Sequence, residues 1–284
     1  MQVGMIGLGA MGAGMARNIA RSEHVIKVWN RTSTTAQKLG EELNIQAVSE
    51  IQQVVTHAEV ILICVSADSD VLEVVGAILE SIKPGSIVID TSTVSSETAK
   101  TAAKLLADKQ VCFLDAPVSG GVEGAQNGTL AMMVGGDKNS LEKAKPVLDT
   151  ICARIIYMGG TGAGQGTKAV NQIMAAGINQ AVTEALAFAD AEGLPLEKVI
   201  DIVSGGAAGN WFLTHRGLTM MQHHYQPGFK LALHHKDLKI CQSMAEKNSA
   251  DLPLVRKTIH DYQQLMNDGF GDEDISALFR LKQK

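Results

Sequence analysis

Proline is scarce in this chain, six among 284 residues, and charged side chains make up only 19%. So little proline beside 28 glycines excludes a collagen-like or proline-rich disordered chain. Long apolar runs are also missing. The longest, around residues 60–65, is far shorter than the about 20 residues a membrane helix needs, so no membrane partner is expected. No basic residue precedes Arg17 and glycines break up the opening run, so no secretory signal peptide is expected either. Dense Lys/Arg blocks are absent and the formal charge is −5, which argues against nucleic acid as the main ligand. The four cysteines, Cys64, Cys112, Cys152 and Cys241, form no C-x-x-C pair and read as reduced, mostly buried thiols. Internal repeats and low-complexity tracts are lacking as well. Together these absences predict a cytoplasmic globular protein.

What is present is a pattern. Short Val/Ile-rich runs over 3–6, 25–29, 60–65, 86–90, 111–114, 130–134 and 154–158 alternate, early in the chain, with helix-like stretches such as 10–21, 33–43 and 71–81. Strands with so little polar alternation are buried on both faces, and βα alternation predicts a parallel, doubly wound sheet. After Gly166 the period changes. Val170, Ile173, Met174, Ile178, Ala181, Val182, Ala185, Leu186 and Ala189 recur at helical spacing, and further helical segments follow at 196–204, 210–221, 230–246, 254–267 and 274–281. The fold class is therefore α/β: an N-terminal Rossmann-type domain over 1–162 and an all-α domain over 163–284, joined by a long interdomain helix that starts after the Gly159–Gly166 loop. Nineteen of the 28 glycines fall in four stretches, 4–14, 120–136, 159–166 and 205–209, as loops that let backbone approach a ligand would require.

Gly7-Leu8-Gly9-Ala10-Met11-Gly12 is a G-x-G-x-x-G between a predicted strand and a predicted helix. In that context the first glycine makes the tight turn, the second admits a pyrophosphate and the third lets helix and strand pack, while the helix N-terminus offers N–H donors to phosphate. The second strand ends in Asn30-Arg31-Thr32 where an acidic residue would bind the ribose hydroxyls of NAD. Neutral Asn30 does not repel a 2′-phosphate and Arg31 can pair with one, so the local chemistry favours NADP, with NAD the alternative.

Further along stand Asp115-Ala116-Pro117-Val118-Ser119-Gly120-Gly121, Gly128-Thr129-Leu130, Val134-Gly135-Gly136-Asp137, Gly162-x-Gly164, Lys168 with Asn171, and Lys236-Asp237-Leu238. In this order and spacing the whole chain resembles the β-hydroxyacid dehydrogenase family, which includes 3-hydroxyisobutyrate dehydrogenases and the tartronate, glyoxylate and succinic semialdehyde reductases. The resemblance implies hydride transfer between NADP and a small 3-hydroxy acid or its semialdehyde. Semialdehyde and glyoxylate reduction and serine oxidation are the nearest alternatives, and a non-catalytic NADP-binding module is the rival from another class. Retention of Ser119, Lys168 and Asn171 together speaks against that module. The chain is too short for the 6-phosphogluconate dehydrogenase branch, and Lys168 separates it from imine reductases.

The residues agree with the resemblance. Ser119, Gly120 and Gly121 offer a hydroxyl and open backbone N–H groups to a substrate carboxylate beyond the carboxyl ends of the strands. Lys168 and Asn171, at i,i+3, share one helix face. Desolvation brings a lysine toward working pH, and the family places its proton donor at the position of Lys168, with Asn171 orienting the substrate hydroxyl. By resemblance Lys236 and Thr93 reach the cofactor and Asp237 belongs to the substrate site. Val65 lies in Cys64-Val65-Ser66, where many members have Leu-Pro, so a local change in the cofactor loop is expected. Trp211 is read either as core or as a wall of the substrate pocket, and some serine-oxidising relatives carry a similar Asn-Trp pair. His223-His224 and His234-His235 complete no ligand set at a recognised spacing, so no metal is expected. The family also implies pairing through the helical domain, as a homodimer or homotetramer.

Overall fold

A computed structural model describes residues 1–283 of the chain. The order is β1 (Gln2–Ile6), α1 (Ala10–Ala20), β2 (Val25–Trp29), α2 (Ser33–Leu43), β3 (Gln46–Ala47), α3 (Ile51–Val55), β4 (Val60–Ile63), α4 (Asp68–Ile78), β5 (Ile87–Asp90), α5 (Ser96–Ala107), β6 (Cys112–Asp115), β7 (Val118–Ser119), α6 (Gly121–Asn127), β8 (Leu130–Gly136), α7 (Lys138–Leu148) and β9 (Cys152–Gly159). Then come α8 (Ala163–Ala191), α9 (Leu196–Ser204), α10 (Trp211–Met221), α11 (Leu231–Lys247), α12 (Pro253–Asn267) and a 3₁₀ segment (Ile275–Leu281). Two compact units result, one through Lys168 and one from Ala169 onward.

The strand order β3-β2-β1-β4-β5-β6 is parallel throughout and is that of a dinucleotide-binding sheet. Alternate side chains of each strand enter different cores. Val60, Leu62, Ile87 and Ile89 pack with Met15 and Ile19 of α1 on one face. Ile61, Ile63 and Val88 pack with Val71, Val75 and Leu106 on the other. Buried both ways, these strands have no place for polar alternation.

The sheet is parallel-rich but not wholly parallel. β8 runs antiparallel to β6 and β7, and β9 runs parallel to β8. The chain between β7 and β8, residues 120–129, is too short for the crossover of a dozen or more residues that a parallel return requires. β6 and β7 lie in succession along β8, parted by Ala116-Pro117, whose proline has no N–H to give the ladder. Several elements escape sequence reading: β3, α3, α5, β7, α6 and α7. Side chains start two of these helices. Ser95 Oγ accepts from Thr98 N at 3.1 Å, and Asp137 Oδ2 accepts from Ser140 N at 2.7 Å.

The second unit is helical, with its core built by Ala176, Leu186, Phe212, Leu213, Tyr262 and Phe279. Asn179 Nδ2 is buried and paired, donating to Tyr262 Oη at 2.9 Å and to the Ile275 carbonyl at 2.7 Å, while Asn179 Oδ1 and Tyr225 Oη are buried with no hydrogen-bond partner among the described residues. The segment 274–281, expected as a helix, winds as a 3₁₀ turn started by Asp274.

Candidate active site

The β1–α1 turn is tight because nothing larger than glycine fits two of its positions. Gly7 adopts φ +92°, and a Cβ there would run into the Cys64 carbonyl; one on Gly12 would run into the Gly7 carbonyl. Gly9 is different. A Cβ there meets nothing within 4 Å, so its hydrogen atoms face open space. Gly9 begins α1 without any side-chain cap, leaving the first-turn amides, those of Ala10 and Met11 among them, without a side-chain acceptor. Asn30 fastens the turn to β2, its Oδ1 accepting from Leu8 N at 2.9 Å and its Nδ2 donating to the Thr32 carbonyl at 3.1 Å. An uncapped helix start behind a glycine with free space in front suits a pyrophosphate.

A cavity of about 400 Å³ runs from Gly7 and Gly9 past Trp29 and Arg31 to Val65. Arg31 Nη2 donates to Asp70 Oδ1 at 2.6 Å and to Glu73 Oε2 at 3.4 Å, both carboxylates from α4. That hydrogen bond, with the charge of Asp70, holds the guanidinium further above its ordinary value. Behind this lining, Val65 N donates to Ser92 Oγ at 2.9 Å, and Ser92 N donates to Asp90 Oδ1 at 3.0 Å. Half-buried Thr93 follows. Burial pushes the Cys64 thiol up to about 11, so it stays protonated and unreactive at neutral pH.

The start of α8 is tied to the β6–β7 segment. Asp115 Oδ1 accepts from Gly162 N at 2.8 Å and Oδ2 from Gln165 N at 2.9 Å, so one carboxylate serves two otherwise unsatisfied donors of the helix start. Burial raises the Asp115 carboxyl above its ordinary value, against the pull of those backbone bonds. Gln165 bonds in turn to the Ser92 carbonyl at 2.8 Å and Val94 N at 3.2 Å. One helical turn on, Lys168 is 8% exposed and its Nζ donates to the Val118 carbonyl at 2.9 Å. Ser119, half-buried, is the next residue. Gly120 at φ +126° and Gly121 at φ +62° carry the backbone from β7 into α6. Lys168 and Ser119 are thereby brought to one place.

In the helical unit a short chain of hydrogen bonds organises the other expected residues. Asn171 Nδ2 donates to Gln172 Oε1 at 2.8 Å, and Gln172 Nε2 donates to Asp237 Oδ2 at 2.6 Å. Lys236 Nζ lies 2.9 Å from Asp237 Oδ1. Asp237 is 4% exposed, and its charge is balanced by Lys236 and the Gln172 amide. Trp211 opens α10 at 61% exposure, stacked on His215 at 4.2 Å with the Arg216 guanidinium 5.3 Å from its ring, so it is not a core residue. His234 is buried, facing Tyr262 Oη at 3.1 Å and the Gln172 carbonyl at 3.2 Å. Among the described residues no group of His, Cys, Asp or Glu is arranged to hold a metal, and no helix is long and apolar enough to cross a membrane. Nothing local in the sequence announces Asp70, Glu73, Gln165 or Gln172, nor the helix-start role of Asp115; each acts on a partner far away in the chain, and Gln172 on its neighbour Asn171 as well.

Comparison with known proteins follows the same division. Residues 2–160 match the family model of the NAD binding domain of 6-phosphogluconate dehydrogenase, and residues 162–282 that described as NAD-binding of NADP-dependent 3-hydroxyisobutyrate dehydrogenase. The chain is 36% identical over 284 residues to 2-hydroxy-3-oxopropionate reductase of Escherichia coli, covering 98% of this chain and 96% of the relative. It is 31% identical to glyoxylate/succinic semialdehyde reductase 1 of Arabidopsis thaliana, over 98% of this chain and 97% of the relative. The solved structure of Mycobacterium tuberculosis 3-hydroxyisobutyrate dehydrogenase with L-serine matches at TM-score 0.92 and 30% identity, over 99% of both chains.

Proposed function

The chain belongs to the family of NAD(P)-dependent β-hydroxyacid dehydrogenases, and on that premise we propose that it is an NADP-preferring oxidoreductase of small 3-hydroxy acids and their semialdehydes. The observation that carries the reading is the buried Lys168 ammonium bonded to the Val118 carbonyl, beside Ser119. When bound, the nicotinamide cofactor supplies or accepts the hydride. Gly7, Gly9, Ala10, Met11 and Gly12 hold the pyrophosphate, and Asn30, Arg31 and Thr32 the adenosine 2′-phosphate. Val65, Thr93 and Lys236 complete the cofactor contacts. Ser119, Gly120 and Gly121 bind the substrate carboxylate, with Trp211 and Asp237 assigned to the same substrate. As the carbonyl is reduced, Lys168 Nζ gives a proton to the developing alkoxide; in the oxidative direction it takes the hydroxyl proton. Asn171, itself braced by Gln172, orients that hydroxyl. The enzyme works in the cytoplasm, its subunits paired through the helical unit as a homodimer or homotetramer.

The test is a panel in both directions: 3-hydroxyisobutyrate, serine, 4-hydroxybutyrate and glycerate for oxidation, succinic semialdehyde and glyoxylate for reduction, each with NADP(H) and NAD(H). Lys168→Ala is expected to lower kcat by about 10²–10⁴ with NADPH affinity kept, as loss of a general acid does. An active Lys168→Ala enzyme removes the mechanism. A lower KM for NADH than for NADPH removes the cofactor preference.

A further inference from the structure

Arg31, Asp70 and Glu73 are the charged side chains that line the 400 Å³ cavity beside Gly9, and together they carry a net negative charge. Asp70 stands in the first turn of α4, its carboxylate 18% exposed and fixed in the wall, while the Arg31 side chain is 65% exposed. Glu73 follows at i+3 on the same helix face, 71% exposed and 0.8 Å further from the guanidinium, at 3.4 Å against 2.6 Å. The cation expected to meet a 2′-phosphate is therefore already occupied by two carboxylates of its own chain.

We propose that Asp70, aided by Glu73, sets how strongly this enzyme discriminates NADP from NAD: the α4 carboxylates are the anions a 2′-phosphate has to displace from Arg31, and they accept from the ribose hydroxyl of a cofactor that lacks the phosphate. The inference rests on the proposed role of Arg31 and deepens it. A phosphate with close to two negative charges gains Arg31 only by breaking the Asp70 contact, and it then lies against an uncompensated carboxylate, which weakens the net attraction. A 2′-hydroxyl meets no such repulsion, and a carboxylate at the end of the adenosine site is the usual acceptor for it. One arginine faced by two acids thus moderates a preference for NADP and keeps NAD usable.

Binding separates this from catalysis. Isothermal titration of the full chain with adenosine 2′,5′-bisphosphate and with adenosine 5′-monophosphate isolates the 2′-phosphate. Asp70→Asn keeps the side chain's size, and it is expected to tighten the bisphosphate about tenfold while the monophosphate holds steady or weakens, the size of effect one like charge at contact range produces when water screens it nearly as in bulk. Glu73→Gln is expected to act in the same direction and less, about threefold, because its contact is longer and wetter. No tightening in Asp70→Asn, or equal tightening of both nucleotides, overturns the proposal. Arg31→Ala distinguishes its failure from that of the underlying reading. If that variant loses selectivity for the bisphosphate while Asp70→Asn gains none, the acidic pair is irrelevant and Arg31 keeps its role. If Arg31→Ala loses nothing, both fall.

Discussion

Asp90 ends β5 with its carboxyl out of reach of solvent; Oδ1 takes the Ser92 N–H, and Oδ2 has no partner among the described residues. Desolvation pushes this carboxyl up to about 7, with Asp115 and Asp68 adding to the rise and the Ser92 bonds opposing it. The folded protein thus holds a proton that the unfolded chain, titrating near about 4, gives up. The resulting stabilisation is complete below that lower value and is lost as pH rises through 7, at no more than about 1.4 kcal/mol per pH unit for a single proton. Differential scanning calorimetry is expected to show Tm falling between pH 5 and 8. Asp90→Asn, which cannot ionise, is expected to flatten that decline; an equal decline in the variant assigns it elsewhere. At this scale the sequence was legible where chemistry is local. Gly9 stands in a motif whose spacing and context suggest its work, and Ser119, Lys168 and Asn171 are singled out by the family resemblance of the runs that hold them. Asp70 stands in no such run, and Asp115 heads one without its work being legible, because their partners lie 39 and about 50 residues away and a carboxylate in isolation reads as solvated surface. Trp211 had two readings, and its exposure removes one.

The β1–α1 turn lets two glycines of one motif be told apart. Gly9→Ala has φ −65° and empty space around its new methyl group, so the helix and turn are expected to form with Tm within a degree or two of the parent, as surface changes do. The methyl group nevertheless occupies the room assigned to the pyrophosphate, so NADP affinity is expected to fall at least about tenfold. Gly12→Ala drives a methyl group into the Gly7 carbonyl and is expected to lower Tm as well, with strain of the about 1–3 kcal/mol that overpacking brings. Thermal melts with NADP titration check both; a stable Gly9→Ala protein with intact affinity would show that the open space is unused. The elements that were legible are those rich in apolar residues, β1, β2, β4 and α8 among them. α5 and α7 were not. Both are amphipathic but carry many polar residues and small buried ones, α7 also carries Pro146, and their starts are marked by single capping side chains, Ser95 and Asp137. β8 was legible as the run at 130–134, but its antiparallel direction was not: direction is decided by the length of the α6 connection, and α6, with two glycines in seven residues, scarcely reads as a helix.

For the whole molecule, the helical unit leaves more apolar surface uncovered than a stripe of isolated residues explains. Val170, Met174 and Phe188 lie on one face of α8, since eighteen residues make five turns, and they are 56%, 61% and 65% exposed. Light scattering on the purified protein is expected to give at least twice the 30.1 kDa chain mass, and Met174→Asp with Phe188→Asp is expected to reduce it toward one chain. A parent protein of single-chain mass would remove the proposed pairing. The two-unit plan itself was readable from the change of apolar period after Gly166, while the residues that fasten β6–β7 to α8 were not. That fastening has a consequence for how the chain is made. The donors that satisfy Asp115 arrive 47 and 50 residues after it, and Lys168 comes 50 residues after the carbonyl that receives it. On the ribosome, the segment at 115–121 must wait, wet and unfinished, until the first turns of α8 have left the exit tunnel. A fragment cut at residue 160 would stay in that state for good, so a dinucleotide-binding fragment meant to fold by itself has to be cloned through Lys168 and into the helix beyond.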